Sequence, residues 1–511
     1  MRNLRRSRAD TDGARGDPEF VGTRARRARM TPTTGPASPA GGVAAETGVR
    51  AGRGAELLML VFAAAITTSA LALVEANQEQ QLTTDLLLYG GAYLGLFTIA
   101  HLAVRKLAPY ADPLILPCVA LLNGLGLVMI HRLDLAAAAK AVQNGQPVPS
   151  GDASHQVVWT AIGVVLFVGV LWFLRDHRSL ARYGYTCGLV GLVLLVTPAL
   201  LPARFSEVNG GKNWILLAGF SIQPGEFAKI LLLIFSASFL VAKRDLFDTA
   251  GKHIFGMDLP RARDLAPMLL AWGVSIGVLV FDKDLGFALL IFGTVLVMLY
   301  IATEWMSWLL IGSVLFVGGS YVAYRLFAHV RVRFDTWLNP YATYDTTGYQ
   351  ISQSLFGLGT GGVGGTGLGA GNPQTVPFAK TDFIIAAIGE ELGLIGIAAV
   401  LMVFAILVIR GMRTAIAVRD TFGKLLAGGL AFTIAWQVFV VVGGVTKLIP
   451  LTGLTTPFVS YGGSSLLANY ILVAILLRIS DAARRPAPAR QPRVGAGTPI
   501  ADAPTQMVKR P

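Results

Sequence analysis

Apolar runs long enough to cross a bilayer recur twelve times along this chain, centred near residues 65, 95, 122, 165, 192, 234, 274, 293, 316, 396, 437 and 469. Each crossing helix needs about 20 apolar residues, and a backbone lying in hydrocarbon must satisfy its own hydrogen bonds. The expectation is an all-α, polytopic integral membrane protein with about 12 transmembrane helices. Composition agrees, with 53% of residues apolar and only 14% charged. Dividing the length into soluble domains therefore has no meaning here. Cys118 and Cys187 both fall inside expected spans, with no second cysteine near either, which argues against a disulfide framework.

Three regions follow from the charge pattern. Residues 1–54 carry 11 arginines among Pro, Gly, Thr and Ala, too few large apolar side chains to offset the entropy of ordering. They read as a disordered, basic cytoplasmic tail beside an anionic leaflet, with no nucleic-acid partner required. No cleavable signal peptide is expected, because the first apolar run begins only near Leu57. Residues 55–480 form the membrane domain and 481–511, with "RRPAPARQPR", a second disordered tail.

Orientation rests on where the basic residues fall. Arg105 and Lys106; Arg175, Arg178 and Arg182; Lys243, Arg244, Lys252, Arg261 and Arg263; and Arg410, Arg413, Arg419 and Lys424 all occupy alternate loops, as do both tails. The positive-inside rule then places both termini in the cytoplasm. Segments 76–85, 132–155, 202–224 and the one large loop, 327–382, face outward. Nucleotide-activated sugars are cytoplasmic, so an enzyme working outside needs a substrate already activated and delivered through the membrane, such as a lipid-linked sugar.

Soluble-enzyme motifs give little. "GVGGTG", residues 362–367, matches a dinucleotide-binding spacing, but no strand precedes it, so it fails its context test. The wider glycine run lacks the Lys-Ser or Lys-Thr of a phosphate loop and reads as a loop folding closely along the membrane surface. The six histidines are scattered, without the paired spacing of a zinc site.

Charges at the membrane boundary say more. In "NGGKNWILLAGFSIQPGEFAKI", Lys212 leads into a span opened by Pro224, with Glu226 and Lys229 one helical turn apart. Ordinary helix-cap chemistry and an ionisable pair lining a cavity both fit them. "FDKDLG" sets Asp282, Lys283 and Asp284 at a turn between spans. Asp382 opens a later span, and Glu390 and Glu391 lie about two turns further in, where they should face protein or water rather than lipid. Ser464 follows the glycine pair of "SYGGSS". Within the large loop, Asp335 and Asp345 are the two acidic residues between Arg333 and Lys380. A lone loop aspartate is as readily an ordinary turn residue.

The ordered set "KNWI…FSIQPGEFAK", "KDLG", "TGYQISQSL", "TDFIIAAIGEELGLIG" and "GLTTPFVSYGGSS" resembles the SEDS family of RodA, FtsW and SpoVE over roughly residues 200–478. The extra N-terminal spans, the "KDLG" and the "GGVTKLIPLTGLTTP" stretch are similar to its actinobacterial RodA branch. The resemblance implies a peptidoglycan glycosyltransferase of the bacterial cytoplasmic membrane that polymerises lipid II at the outer face, with a class B penicillin-binding protein as partner. It implies Asp345 as the catalytic carboxylate, acting as general base or holding a divalent cation, magnesium or manganese. No nucleotide or organic cofactor is implied. Lys212, Glu226, Lys229, Asp284, Gln350, Gln353, Asp382 and Ser464 are the implied cavity or substrate-binding residues. The family's acid stands six residues before the tyrosine of its Gly-Tyr stretch; here Thr343 occupies that slot and Asp345 stands four before Tyr349. Two readings of other classes stay open: a lipid II flippase, and a scaffold for the penicillin-binding partner.

Overall fold

The computed structural model describes residues 52–78, 84–208, 210–217, 220–244, 252–254, 257–259 and 262–486. Nearly all of the two expected tails therefore lies outside the described residues. Twelve helices occupy the twelve apolar runs: α1 (Gly52–Gln78), α2 (Thr84–Leu107), α3 (Ile115–Gln143), α4 (Asp152–Phe173), α5 (Gly184–Leu200), α6 (Pro224–Ala242), α7 (Ala262–Phe281), α8 (Leu285–Thr303) and α9 (Ser307–Leu326), then, after two loop helices, α12 (Ile384–Ala417), α13 (Thr421–Val445) and α14 (Gly463–Arg484). The loop helices are α10 (Ala328–Leu338) and α11 (Tyr349–Gly361). Among the described residues ten helices are long and apolar enough to cross a membrane; α5 and the Leu265–Phe281 stretch of α7 are shorter apolar helices. Two short antiparallel ribbons, β1 (Ile215–Leu217) with β2 (Phe220–Ile222) and β3 (Lys252–Ile254) with β4 (Met257–Leu259), are the strands seen.

The most extensive packing joins α5 to α6, α12 to α13, α1 to α3 and α4 to α14. Among these ten, α9 is the least buried, exposing Val314, Leu315, Val317 and Tyr321, as a helix facing lipid would. Alternation along the chain gives the bundle two ends. At one, here the basic end, Arg478 donates to the carbonyls of Leu107 and Leu171. There Asp112 pairs with Arg484 and Arg410, and His177 meets Asp420 at 2.9 Å. The opposite, loop end gathers α10, α11 and the α13–α14 connection.

The glycine run does more than skirt the membrane. Its first part is the end of α11, and the rest docks into a break in α12 at Gly393, whose φ is +67°. A helix broken at membrane depth leaves carbonyl and N–H groups without partners, which only protein can satisfy there. Thr366 and Gly367 donate to the carbonyls of Glu390 and Glu391 (3.0 and 2.9 Å), while the N–H groups of Leu394 and Ile395 donate to the carbonyls of Gly362 and Val363 (3.0 and 3.2 Å). A Cβ on Gly365 would lie 2.2 Å from the Glu391 carbonyl and one on Gly393 2.3 Å from the Gly365 nitrogen. Glycine is needed for that approach. Glu390 and Glu391 face protein, as expected: Glu391 accepts from Arg132 (2.7 Å) and from the Gly369 N–H (3.1 Å), and Glu390 from the Asn372 N–H (2.6 Å). Both cysteines are free.

Candidate active site at the loop end

Pro224 opens α6 at a position where its missing N–H costs nothing. The preceding Gln223 donates its backbone N–H to Ser464 Oγ at 2.9 Å, tying the start of α6 to the start of α14. One turn in, Lys229 Nζ lies 2.5 Å from Glu226 Oε2 and 3.1 Å from Gln437 Oε1. Gln437 passes the chain on to the Thr455 carbonyl at 2.9 Å. Both side chains of the ion pair are almost fully buried. The pair is thus a buried link between helices, not a solvated helix cap. Beneath Lys229 a narrow recess is lined by Leu233, Ile291, Thr294 and Thr433.

Asp284 caps α8, accepting from the Phe287 N–H at 3.0 Å. Its other oxygen accepts from Asn213 at 3.0 Å and Gln223 at 3.4 Å. Burial pushes its pKa up to about 6; the Phe287 N–H and the Arg333 guanidinium pull the other way, and the Glu226 and Asp382 charges add to the rise. Asp382, just before α12, is also pushed to about 6 by burial, which the Thr381 hydroxyl and Arg333 only partly offset. Asp282, in the same turn as Asp284, is raised to about 6 by burial against the opposing charge of Lys212. Three carboxyls with raised pKa values at one end of a membrane bundle are a pattern found at functional sites.

Arg333, on α10, stands between the Asp284 and Asp382 charges. Burial lowers its pKa, and those two carboxylates raise it. Its Nη1 reaches the carbonyls of Leu451 and Thr452 at 3.5 and 3.4 Å. Beside this group, Lys380 is locked between Asp134 and Asp152. Burial alone would lower its pKa, but the hydrogen bonds and charges of those two carboxylates hold it up.

The structure thus brings Lys212, Glu226, Lys229, Asp284, Asp382 and Ser464 into one linked group, and places Asp345 on a separate turn, with Gln350 and Gln353 following it at the start of α11. That turn follows a 3₁₀ segment, Pro340–Thr343, and closes through the Gly348 N–H to the Thr343 carbonyl at 2.8 Å. A Cβ on Gly348 would fall 2.0 Å from the Pro340 carbonyl. Asp345 is exposed on it, with no hydrogen bond or ion pair among the described residues. Asp335, on α10, is likewise exposed. Gln353 donates to the Tyr344 hydroxyl at 2.8 Å, so it holds the turn in place, and Gln350 is half-buried. Among the described residues no three acidic, histidine or cysteine side chains converge.

Sequence reasoning passed over Arg333 and Gln437. Gln437 carried a usable signal, being a lone amide in an otherwise apolar run, where a polar group must find a partner. Arg333 sat in a stretch read as loop, and its burial follows from the way α10 packs.

Known proteins resemble this chain along most of its length. The profile of the "Cell cycle protein" family of FtsW, RodA and SpoVE matches residues 113–485. A protein of Mycobacterium tuberculosis named peptidoglycan glycosyltransferase RodA is 62% identical over 90% of this chain and 96% of its own length. A probable peptidoglycan glycosyltransferase FtsW of Trichlorobacter lovleyi is 36% identical over 73% of this chain and 94% of its own. Among solved structures, a chain described under structural coordination of polymerization and crosslinking by a peptidoglycan synthase complex superposes with a TM-score of 0.58 at 27% identity, covering 74% of this chain and 99% of that one. The chain belongs to the FtsW, RodA and SpoVE family.

Proposed function

We propose that this chain is a peptidoglycan glycosyltransferase that polymerises lipid II into glycan strands at the outer face of the bacterial cytoplasmic membrane. The observation that carries the reading is the identity, along nine-tenths of the chain, with a protein named for that activity. The loop-end carboxyls and the unpaired Asp345 supply chemistry that suits it, and the bias of basic residues toward the opposite end supports an outward-facing site. The likeness to a complex coordinating polymerization with crosslinking supports a class B penicillin-binding protein as partner.

In this reading the acceptor hydroxyl attacks C1 of the donor sugar. The bond from C1 to the diphosphate oxygen breaks, its electron pair leaves with undecaprenyl diphosphate, and the hydroxyl proton passes to the Asp345 carboxylate. Asp345 is suited to that transfer because no cation among the described residues holds it. The buried group of Glu226, Lys229, Asp284 and Asp382 shapes and polarises the cavity, with Ser464 fixing the α6–α14 seam. A magnesium or manganese ion at Asp345 would be held jointly with the substrate's own diphosphate, and no step above depends on one.

The test is a glycan ladder. Purified protein in detergent, with or without its partner, is given lipid II, and the products are resolved by size. Polymer is expected. Its absence under both conditions, with lipid II transport intact in vesicles, would transfer the chain to the flippase reading.

A further inference from the structure

Helices α1 and α2 stand before residue 113, where the match to the family profile begins. The Mycobacterium tuberculosis relative matches 458 residues of this chain, more than follow α2, so that match runs into the hairpin. A hairpin seated by apolar packing alone needs no polar group on its inner face, yet α1 carries several. At the basic end Glu56 pairs with Arg53 and meets His101 of α2 at 2.8 Å, and Arg53 donates to the Ala108 and Ala111 carbonyls at 3.0 and 2.6 Å. In mid-helix α1 and α3 approach until a Cβ on Gly124 would lie 2.1 Å from Thr67 Oγ1. Towards the loop end Glu75 meets His131 of α3 at 3.3 Å, and Tyr89 of α2 lies edge-on to that imidazole, with centroids 5.2 Å apart. Polar groups that find one another at membrane depth tie helices together, so the hairpin is fixed along its length.

The last turn of α1 then grips the glycine run. Asn77 Nδ2 donates to the Leu368 carbonyl at 2.5 Å, and Gln78 Nε2 to that of Gly369. A Cβ on Gly369, whose φ is +82°, would fall 2.9 Å from Asn77 Cβ and 3.3 Å from the Val74 carbonyl, so glycine is what lets α1 close on this point. From the other side Glu391 accepts from the Gly369 N–H at 3.1 Å, and Arg132 donates to the Gly371 carbonyl and to Glu391, both at 2.7 Å. Arg132 follows His131 in sequence, so one turn of α3 links α1, the glycine run and α12. This is the same run that satisfies the break in α12. It leaves α11 at Gly361, where a Cβ would lie 2.0 Å from the Gly389 carbonyl, and α11 begins four residues after Asp345. A shift of the run is therefore passed through α11 to the Asp345 turn.

We propose that the α1–α2 hairpin is an accessory brace for the reaction: Asn77 and Gln78, aligned by the Glu75–His131 contact, hold the glycine run in the break of α12 and so position the Asp345 turn. Both are positioning residues, acting through the run and α11 rather than on the substrate. The proposal rests on the glycosyltransferase reading for the reaction served, and on the contacts alone for the brace. A misplacement of about 1 Å at a reacting group lowers a rate by as much as about 100-fold, so a grip remote from the chemistry can set turnover.

Amide hydrogen exchange reads the brace, and polymerisation reads its use. Full-length protein in nanodiscs is compared with Asn77→Asp/Gln78→Glu, which keeps both shapes, removes both donors and turns carboxylates toward the two carbonyls. Exchange at the docking N–H groups of Thr366, Gly367, Leu394 and Ile395 should quicken by about 10- to 100-fold, and the rate at saturating lipid II should fall by about 10-fold or more. Asn77→Asp/Gln78→Lys, which regains one donor, should recover part of both. Asp420→Asn, at the basic end, should change neither, which separates the brace from a general loss of stability. Unchanged exchange at the dock in the folded Asn77→Asp/Gln78→Glu protein overturns the proposal, as does exchange that quickens evenly over the whole bundle. Quickened exchange at the dock with a full rate of polymerisation removes the positioning role. No polymer from the unsubstituted protein, with the dock loosened as expected in the double variant, would leave the brace standing and remove the glycosyltransferase reading.

Discussion

Asp284 and Asp420 do the same backbone work at opposite ends of the bundle. Each caps a helix and accepts an N–H three residues on, Phe287 at 3.0 Å for one and Gly423 at 2.7 Å for the other. Their surroundings differ. Burial opposes ionisation of Asp420 too, but the Gly423 N–H, His177 and Arg178 outweigh it and hold its carboxyl below the usual range. Asp284 has neutral donors and a shared arginine, and burial wins, lifting it to about 6. The basic end has matched its ions for stability. The loop end keeps carboxyls and cations incompletely matched, a condition that persists where chemistry uses it.

That contrast can be broken in order of expected effect. If chemistry belongs to the loop end, Asp345→Asn should lower lipid II polymerisation by about 100- to 10,000-fold with an unchanged melting temperature, because the side chain is exposed and unpaired. Wild-type polymer yield from this variant would take the catalytic acid away from that turn. Glu226→Gln comes next. It leaves Lys229 as a buried cation with only Gln437 for company, so a loss of about 3–5 kcal/mol should appear in thermal unfolding together with lost activity. A stable, active Glu226→Gln protein would show the pair to be dispensable to both. Smallest is Asp335→Asn: on an exposed face of α10 it should shift stability by less than about 0.5 kcal/mol and leave the glycan ladder as it was. Loss of polymer in that variant alone would move the acid ten residues upstream.

The parts of the molecule that were legible in the sequence follow physical necessity. Twelve apolar runs became twelve helices because a bilayer admits no other continuous backbone for them. Glu226 and Lys229 could be paired from their spacing alone, and Glu390 and Glu391 had to face protein. What the sequence did not disclose depends on tertiary meeting points. "RVRFDTWL" reads as polar loop until Phe327 and Trp337 clamp it as α10. The glycine run cannot be told from a surface loop until Gly393 breaks α12 and creates groups for it to satisfy. Nor could any spacing show that Asp284 and Asp382, 98 residues apart by number, share Arg333.

The matched aspartates give the most direct measurement. Asparagine also caps helices, so Asp284→Asn and Asp420→Asn remove charge while keeping the cap, and each is melted at pH 8 and pH 4.5. The folded pKa of Asp284 is raised, so its carboxyl favours the fold below about pH 4, and that contribution is lost as pH rises through about 6. Relative to the unsubstituted protein, Asp284→Asn should therefore be more stable at pH 8 than at pH 4.5, by about 2 kcal/mol, and should polymerise more slowly. The folded pKa of Asp420 is lowered, so its contribution is present above the ordinary carboxylate range and lost only below it. Asp420→Asn should then lose about 1 kcal/mol at both pH values and keep its activity per folded molecule. Equal destabilisation of the two variants at pH 8, with equal activity, would contradict the division of the bundle into a stabilising end and a chemical end.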